Sequence, residues 1–249
     1  MKVISLNMAG RSNFGGDFDA RMNETTKFLD REQADVVCLQ EVTFYGSESI
    51  AERCNKRMDK PYPFVLAQMS EHYTFDRFTK KFREKWDAGL IEYEGDYVTD
   101  GMAVLSKEPI VSSSSIIMKP APADERGKPD VRVRLTQIIK LKSGMSFANV
   151  HFATNNNAYI QLQELLEYTM PDVIVGDFNV FTWDMKKFND LWESNYQEST
   201  DFRDYISFPE ENVTFDHMLL KTGYRFESIE KFDGVSDHSA MIFTISKVG

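Results

Sequence analysis

Cysteine is almost absent: Cys38 and Cys54 are the two in a chain of 249 residues. At that spacing they build neither a disulfide framework nor a zinc cluster, and two reduced thiols are expected. Positive charge is also short. The 29 Lys and Arg stand against 39 Asp and Glu, a net charge of −10, so any grip on a phosphate must be local, without a field-wide attraction to nucleic acid or an anionic membrane. No apolar run is long enough to span a bilayer, and residues 1–6 read as a strand, not as a charged leader with an apolar signal core. The expectation is a cytoplasmic monomer without stable membrane insertion. Linkers, usable repeats and low-complexity tracts are missing too, which leaves one domain over residues 1–249.

What the sequence does contain is 42% hydrophobic and 13% aromatic residues, enough for a core that needs no covalent staple. Short runs with strand-like composition recur at 3–6, 36–39, 64–67, 102–105, 138–141, 147–150, 173–175, 215–220 and 240–245. Helical patterns at 21–31, 50–58, 158–168 and 185–192 lie between them, the last preceded by Thr182 and Asp184 as candidate caps. Early and late in the chain a helix separates strands, whereas a Ser143-Gly144 turn joins two adjacent strands within 132–150. The sequence therefore predicts an α/β protein with two packed mixed β-sheets flanked by helices.

Polar residues sit at the ends of these strands. Asn7 follows the first, Gln40-Glu41 the second, His151 the run 147–150, and Gly176-Asp177-Phe178-Asn179 the run 173–175; Ser236-Asp237-His238 precedes the last. Any one of them alone is more often a helix cap or a solvated charge. As an ordered set, joined by Asp100-Gly101-Met102, Asn149-Val150-His151 and Thr214-Phe215-Asp216, they resemble the endonuclease/exonuclease/phosphatase superfamily over almost the whole chain. The resemblance implies a four-layer α/β sandwich and metal-dependent cleavage of a phosphoester.

Phosphodiester hydrolysis explains the residue types, because it needs an in-line water activated by a base and neutralisation of charge on the phosphate and leaving oxygens. On that resemblance Glu41 is the principal Mg2+ or Mn2+ ligand, with Asn7 and Asp237 assisting, since Mg2+ takes a few oxygen ligands plus water and phosphate. Asn179 would donate its amide to a phosphate oxygen. An imidazole near neutral suits proton removal from water, which falls to His238 with Asp216 orienting it. Asp177 aligns a water or a second metal, and both roles stay open. His151 resembles the histidine of deoxyribonuclease and sphingomyelinase members, which contacts the scissile phosphate or protonates the leaving group. Abasic-site enzymes carry other residues there.

Departures from relatives narrow the substrate. Ala9 stands where abasic-site and tyrosyl-DNA phosphodiesterase relatives carry an acid, and Val180-Phe181-Thr182-Trp183-Asp184 lacks the arginine-containing continuation of the latter. Within 75–86, Phe75, Phe78, Phe82 and Trp86 alternate with basic residues, which predicts an amphipathic helix that packs on the sandwich or contacts a phosphate backbone or lipid interface. Arg132 and Arg134 alternate with Val131, Val133 and Leu135 and so share one strand face. A phosphate clamp and a solvent-facing surface are both open for them, and neither is counted among the site residues. His217, beside Asp216, and His72, in a polar loop, read as structural. The leading expectation is a nuclease acting on DNA or RNA. The alternative is a phospholipid (sphingomyelinase-like) or inositol- or sugar-phosphate phosphoesterase with the same centre. A silent binding module fits less well, because no charged member of the set is replaced by an apolar residue.

Overall fold

The computed structural model describes residues 1–9, 18–45, 47–74, 97–118, 134–154 and 156–249. The basic segment 75–86, the loop 120–129 and Arg132 lie outside the described residues. One sheet runs in the order β12 (Tyr224–Phe232), β13 (Ala240–Lys247), β1 (Lys2–Asn7), β2 (Val36–Tyr45), β5 (Tyr97–Ser106) and β4 (Phe64–Thr74). The short β3 (Glu48–Ser49) pairs with β2. The other sheet runs β10 (Tyr196–Glu198), β11 (Asp216–Lys221), β9 (Val173–Asp177), β8 (Ser146–His151), β7 (Leu135–Leu141) and β6 (Ile110–Ile117).

Alternation with a period of two splits the central strands between cores. Val3, Val36 and Cys38 point between the sheets, where they meet Phe147, Val173, Val175, Met218 and Leu220. Their neighbours Ile4, Leu6, Val37 and Leu39 point outward against Phe28 and Leu29 of α1 (Phe18–Glu32) and Ile50 and Cys54 of α2 (Ile50–Arg57). On the far side, Ala148, Val150, Ile174 and Leu219 pack against Leu162 and Leu165 of α3 (Asn156–Tyr168) and against Phe188 and Trp192. Helix, sheet, sheet, helix is the four-layer sandwich expected. Each fully buried Leu or Phe contributes about 1.5–3 kcal/mol.

Local chemistry sets the elements. Ser49 and Glu52 form a reciprocal capping box that starts α2, worth about 1 kcal/mol. The pairs β1–β2 and β8–β9 are parallel, each crossed over through a helix, α1 and α3. The carboxyl ends of each parallel pair therefore share one edge, where ligands of open α/β sheets commonly sit.

Three expectations differ from the structure. The run 185–192 is not one helix but α4 (Thr182–Met185), a 3-10 turn (Lys186–Phe188) and α5 (Asn189–Trp192). None of the three has a side-chain N-cap bond, and Asp184, expected to cap, instead pairs with Lys187 at 2.5 Å. His72 lies in β4, its backbone paired with Thr99, because the strand runs well past the apolar residues that mark it. The sequence marks no strand where β12 lies; it is an edge strand in which Phe226 and Ile229 alone are buried, so charges dilute its pattern. Both cysteines are free and buried, as expected. Among the described residues no helix is long and apolar enough to cross a membrane.

Candidate active site

Two glycines let the backbone approach closely at the shared edge. Gly176, opposite Val150 in the β8–β9 pairing, has φ +148°, and a Cβ there would lie 2.0 Å from the Val150 carbonyl oxygen. Its absence of a side chain allows His151 and Asp177, the next pair in register, to end side by side. Gly101 faces Val42 just past a register shift in β2, and a Cβ on it would come within 2.2 Å of the Gln68 carbonyl. That shift is a β-bulge of one extra residue, and within it Glu41 takes φ 49°. A non-glycine residue in the left-handed region is strained, and a bulge re-aims a side chain. Here the side chain is that of Glu41.

Asp177 is the hub. Its Oδ2 accepts from Asn7 Nδ2 at 2.9 Å and lies 3.5 Å from His151 Nε2 and 3.9 Å from His238 Nε2. Its Oδ1 accepts from the Asn179 backbone N–H at 2.8 Å. Glu41 Oε1 is 3.7 Å from His151 Nε2. His238 donates from Nδ1 to Asp216 Oδ2 at 2.7 Å, and Asp216 is itself held through its backbone by Tyr205 and Ser207. Asn179, at φ 52°, donates from Nδ2 to the Phe152 carbonyl at 2.8 Å, which fixes its amide while leaving a second N–H. Asn7, Glu41, His151, Asp177, Asn179, Asp216 and His238 thus form one linked set at the edge where both sheets end. Asp237 adjoins His238 and accepts from the Ser236 hydroxyl and the His238 backbone N–H at 2.9 and 3.0 Å.

Charge is unbalanced in this set. Burial pushes the Asp177 carboxyl up to about 6; the His238 charge opposes the rise and Asp216 adds to it. Burial alone would lower His238, but the carboxylates of Asp216, Asp177 and Asp237 outweigh it and hold the imidazole up at about 10. The sequence reading expected an imidazole near neutral; three acids around one ring are the reason for the difference. Among the described residues no group of three or more His, Cys, Asp and Glu side chains is arranged to hold a metal. The donors that do converge are hard oxygens, carboxylates and an amide, carrying more negative charge than their surroundings balance. Such a set fits Mg2+ or Mn2+, which keeps waters and takes a phosphate oxygen to complete its shell.

Arg134, for which the sequence leaves a phosphate clamp and a solvent-facing surface both open, is not solvent-facing. It lies buried just before β7, and its Nη1 donates to His151 Nε2 at 2.6 Å. A guanidinium can only donate, so His151 carries its proton on Nδ1 in this arrangement. The hairpin register contains the signal: continuing Gln137↔Asn149 by two residues sets Leu135 opposite His151, with Arg134 next along. Behind the site, Asn149 of one sheet accepts from Gln40 of the other at 2.7 Å and donates to the Leu39 and Ala103 carbonyls, stapling the sheets together.

His217 has both ring nitrogens engaged within the protein. It is fully buried, with Nδ1 2.9 Å from Glu198 Oε1 and Nε2 2.9 Å from the carbonyl of Val180, the residue after Asn179. Both partners accept, so both ring nitrogens donate and the ring is an imidazolium. Burial lowers His217, yet the Glu198 charge and hydrogen bond leave it raised, and Glu198 is lowered in turn despite its own burial. A raised histidine stabilises the fold fully below its unfolded value of 6.5 and loses that contribution as pH climbs through its folded value. Glu198 contributes above 4.5 and loses its share as pH falls through its lowered value. Removing one member of such a pair costs about 3–5 kcal/mol. Urea unfolding of His217→Gln should show that gap below pH 6.5 and a smaller one once pH has risen through the raised folded value of His217. A gap independent of pH contradicts the assignment.

A model of the Endonuclease/Exonuclease/phosphatase family matches residues 4–238. No curated protein matches the sequence. Solved structures share the fold. An endonuclease/exonuclease/phosphatase family protein from Leptotrichia buccalis has a TM-score of 0.72 at 14% identity, covering 99% of this chain and 99% of that one. The human Nocturnin catalytic domain with bound sulfate anion gives 0.66 at 16% identity, covering 100% and 94%. D. rerio TDP2 complexed with single strand DNA product gives 0.61 at 14%, covering 99% of each.

Proposed function

The chain belongs to the Endonuclease/Exonuclease/phosphatase family, a family of phosphoester hydrolases that generally use divalent metal ions, and from that premise we propose a Mg2+- or Mn2+-dependent phosphodiesterase that cuts DNA or RNA. The observation that carries the reading is the Asp216–His238 pair at 2.7 Å, with Asp177 on its far side and Glu41 and Asn7 linked through Asp177 and His151. Base, orienting acid and oxygen ligands meet at one edge. The solved structures that hold a single strand DNA product in TDP2 and a sulfate in Nocturnin support a site for a phosphate-like anion within this fold.

Glu41 would hold the ion, with Asn7 and Asp237 assisting and Asp177 aligning a water. When bound, a divalent ion supplies neutralisation of phosphoryl charge and a lower proton affinity for nearby water. The remaining work falls to the protein. With Asp177 and Asp237 engaged by a bound ion, the carboxylate charge that keeps His238 protonated would be offset, and the neutral ring so released would take the proton of the attacking water at Nε2, while Asp216 holds Nδ1–H and stabilises the imidazolium that forms. Arg134 brings a permanent charge beside His151, so these two support the phosphate or the leaving oxygen, and Asn179 donates its second N–H to a phosphate oxygen.

The test is a substrate panel of single-stranded and duplex DNA and RNA, sphingomyelin vesicles and inositol phosphates, each with Mg2+, Mn2+ or EDTA. The expected result is cleavage of nucleic acid that EDTA abolishes. Cleavage confined to sphingomyelin or inositol phosphates contradicts the substrate class, and cleavage insensitive to EDTA contradicts the metal.

A further inference from the structure

An aromatic ladder leaves the active site and ends in water. His238 packs on Phe208 with centroids 4.9 Å apart, Phe208 on Phe215 at 5.6 Å, and Phe215 on Phe181 at 5.1 Å. Phe181 then stacks on Trp183 at 4.5 Å with the planes only 10° from parallel. Trp183 is 60% exposed. An indole carries one of the largest apolar surfaces of any side chain, and leaving it open next to a catalytic edge is a cost that a ligand can recover. The segment that carries it follows directly from Asn179, and His217 ties the same segment to β11 through the Val180 carbonyl. The ring is therefore mounted on the scaffold of the site.

Resting on the nuclease reading, we propose that Trp183, backed by Phe181, is a stacking platform for a nucleobase of the strand whose phosphate sits at His238. A flat ring held parallel to a second ring presents a π face, and every base has one to match, so stacking adds affinity without reading sequence. It also suits a protein of net charge −10, because stacking gains affinity where a long basic track is not available. A lipid surface is the poorer occupant. Bilayer docking uses several adjacent apolar projections with cations around them, whereas Trp183 lies between Thr182 and Asp184, and Lys187 in the next turn is paired with Asp184.

The experiment compares oligothymidylate with a base-free sugar–phosphate strand of equal length and with sphingomyelin vesicles, for the wild type, Trp183→Ala, Trp183→Leu and Trp183→Phe. Circular dichroism verifies the fold of each. Trp183→Ala and Trp183→Leu should raise KM for oligothymidylate about 5- to 150-fold while leaving kcat and the base-free strand within about twofold. Trp183→Phe should keep most of the affinity. An unchanged KM for oligothymidylate overturns the platform while the nuclease reading stands, and so does an equal rise on both strands. A rise confined to sphingomyelin vesicles overturns it in favour of a lipid surface. A wild type that cuts no nucleic acid overturns the nuclease reading and the platform with it.

Discussion

Replacing His238 with alanine should lower kcat for a phosphodiester by about 10²- to 10⁴-fold and change KM little, because a general base acts in the transition state and not in binding. The geometry behind this is narrow. His238 has one ring nitrogen tied to Asp216 at 2.7 Å and the other facing Asp177 at 3.9 Å, so Nε2 alone is directed at the hollow. Its ring also packs on Phe208 at 4.9 Å, so alanine leaves a cavity and could lower stability as well. His238→Gln, which fills the space without a comparable base, separates the two effects: it should lose turnover while its urea midpoint stays nearer the wild type. Asp216→Asn should also lower turnover, since an amide cannot balance the imidazolium that forms. Undiminished hydrolysis in His238→Gln removes the base from the mechanism.

Glu41→Gln should be comparable in size. The change preserves shape within the strained bulge, where Glu41 has φ 49°, and removes only the charge. Metal stabilisation of a phosphoryl transition state amounts to several kcal/mol, so a loss of about 10²- to 10⁴-fold in kcat/KM is expected. The Mn2+ concentration giving half-maximal activity should rise about 10- to 100-fold, and isothermal titration of Mn2+ should give a correspondingly weaker Kd. Equal Mn2+ dependence in the two proteins contradicts the role of Glu41.

Strand ends explain what could be read in advance. Asn7, Glu41, His151, Asp177, Asp216 and His238 each adjoin an apolar run, and a run of alternating or β-branched residues is a local signal. Their joining needs only that parallel pairs such as β8 and β9 end together, which βαβ order dictates. What escaped depends on relations between distant residues. The bulge that turns Glu41 outward is set by the offset between Leu39↔Ala103 and Val42↔Gly101, and no single segment contains it. Arg134 meets His151 through the β7–β8 register, and the Gln40–Asn149 bond crosses from sheet to sheet. The ring series from Phe208 to Trp183 is assembled from segments distant in sequence, so no single segment contains it. The raised His238 has the same origin, since three acids that surround it come from different parts of the chain.

Anomalous diffraction from crystals soaked in Mn2+ tests the central claim most directly. The account predicts a peak in contact with a Glu41 carboxylate oxygen at the edge shared by Asn7, Asp177 and His238. A fully soaked crystal with its strongest peak elsewhere and none at Glu41 would contradict it.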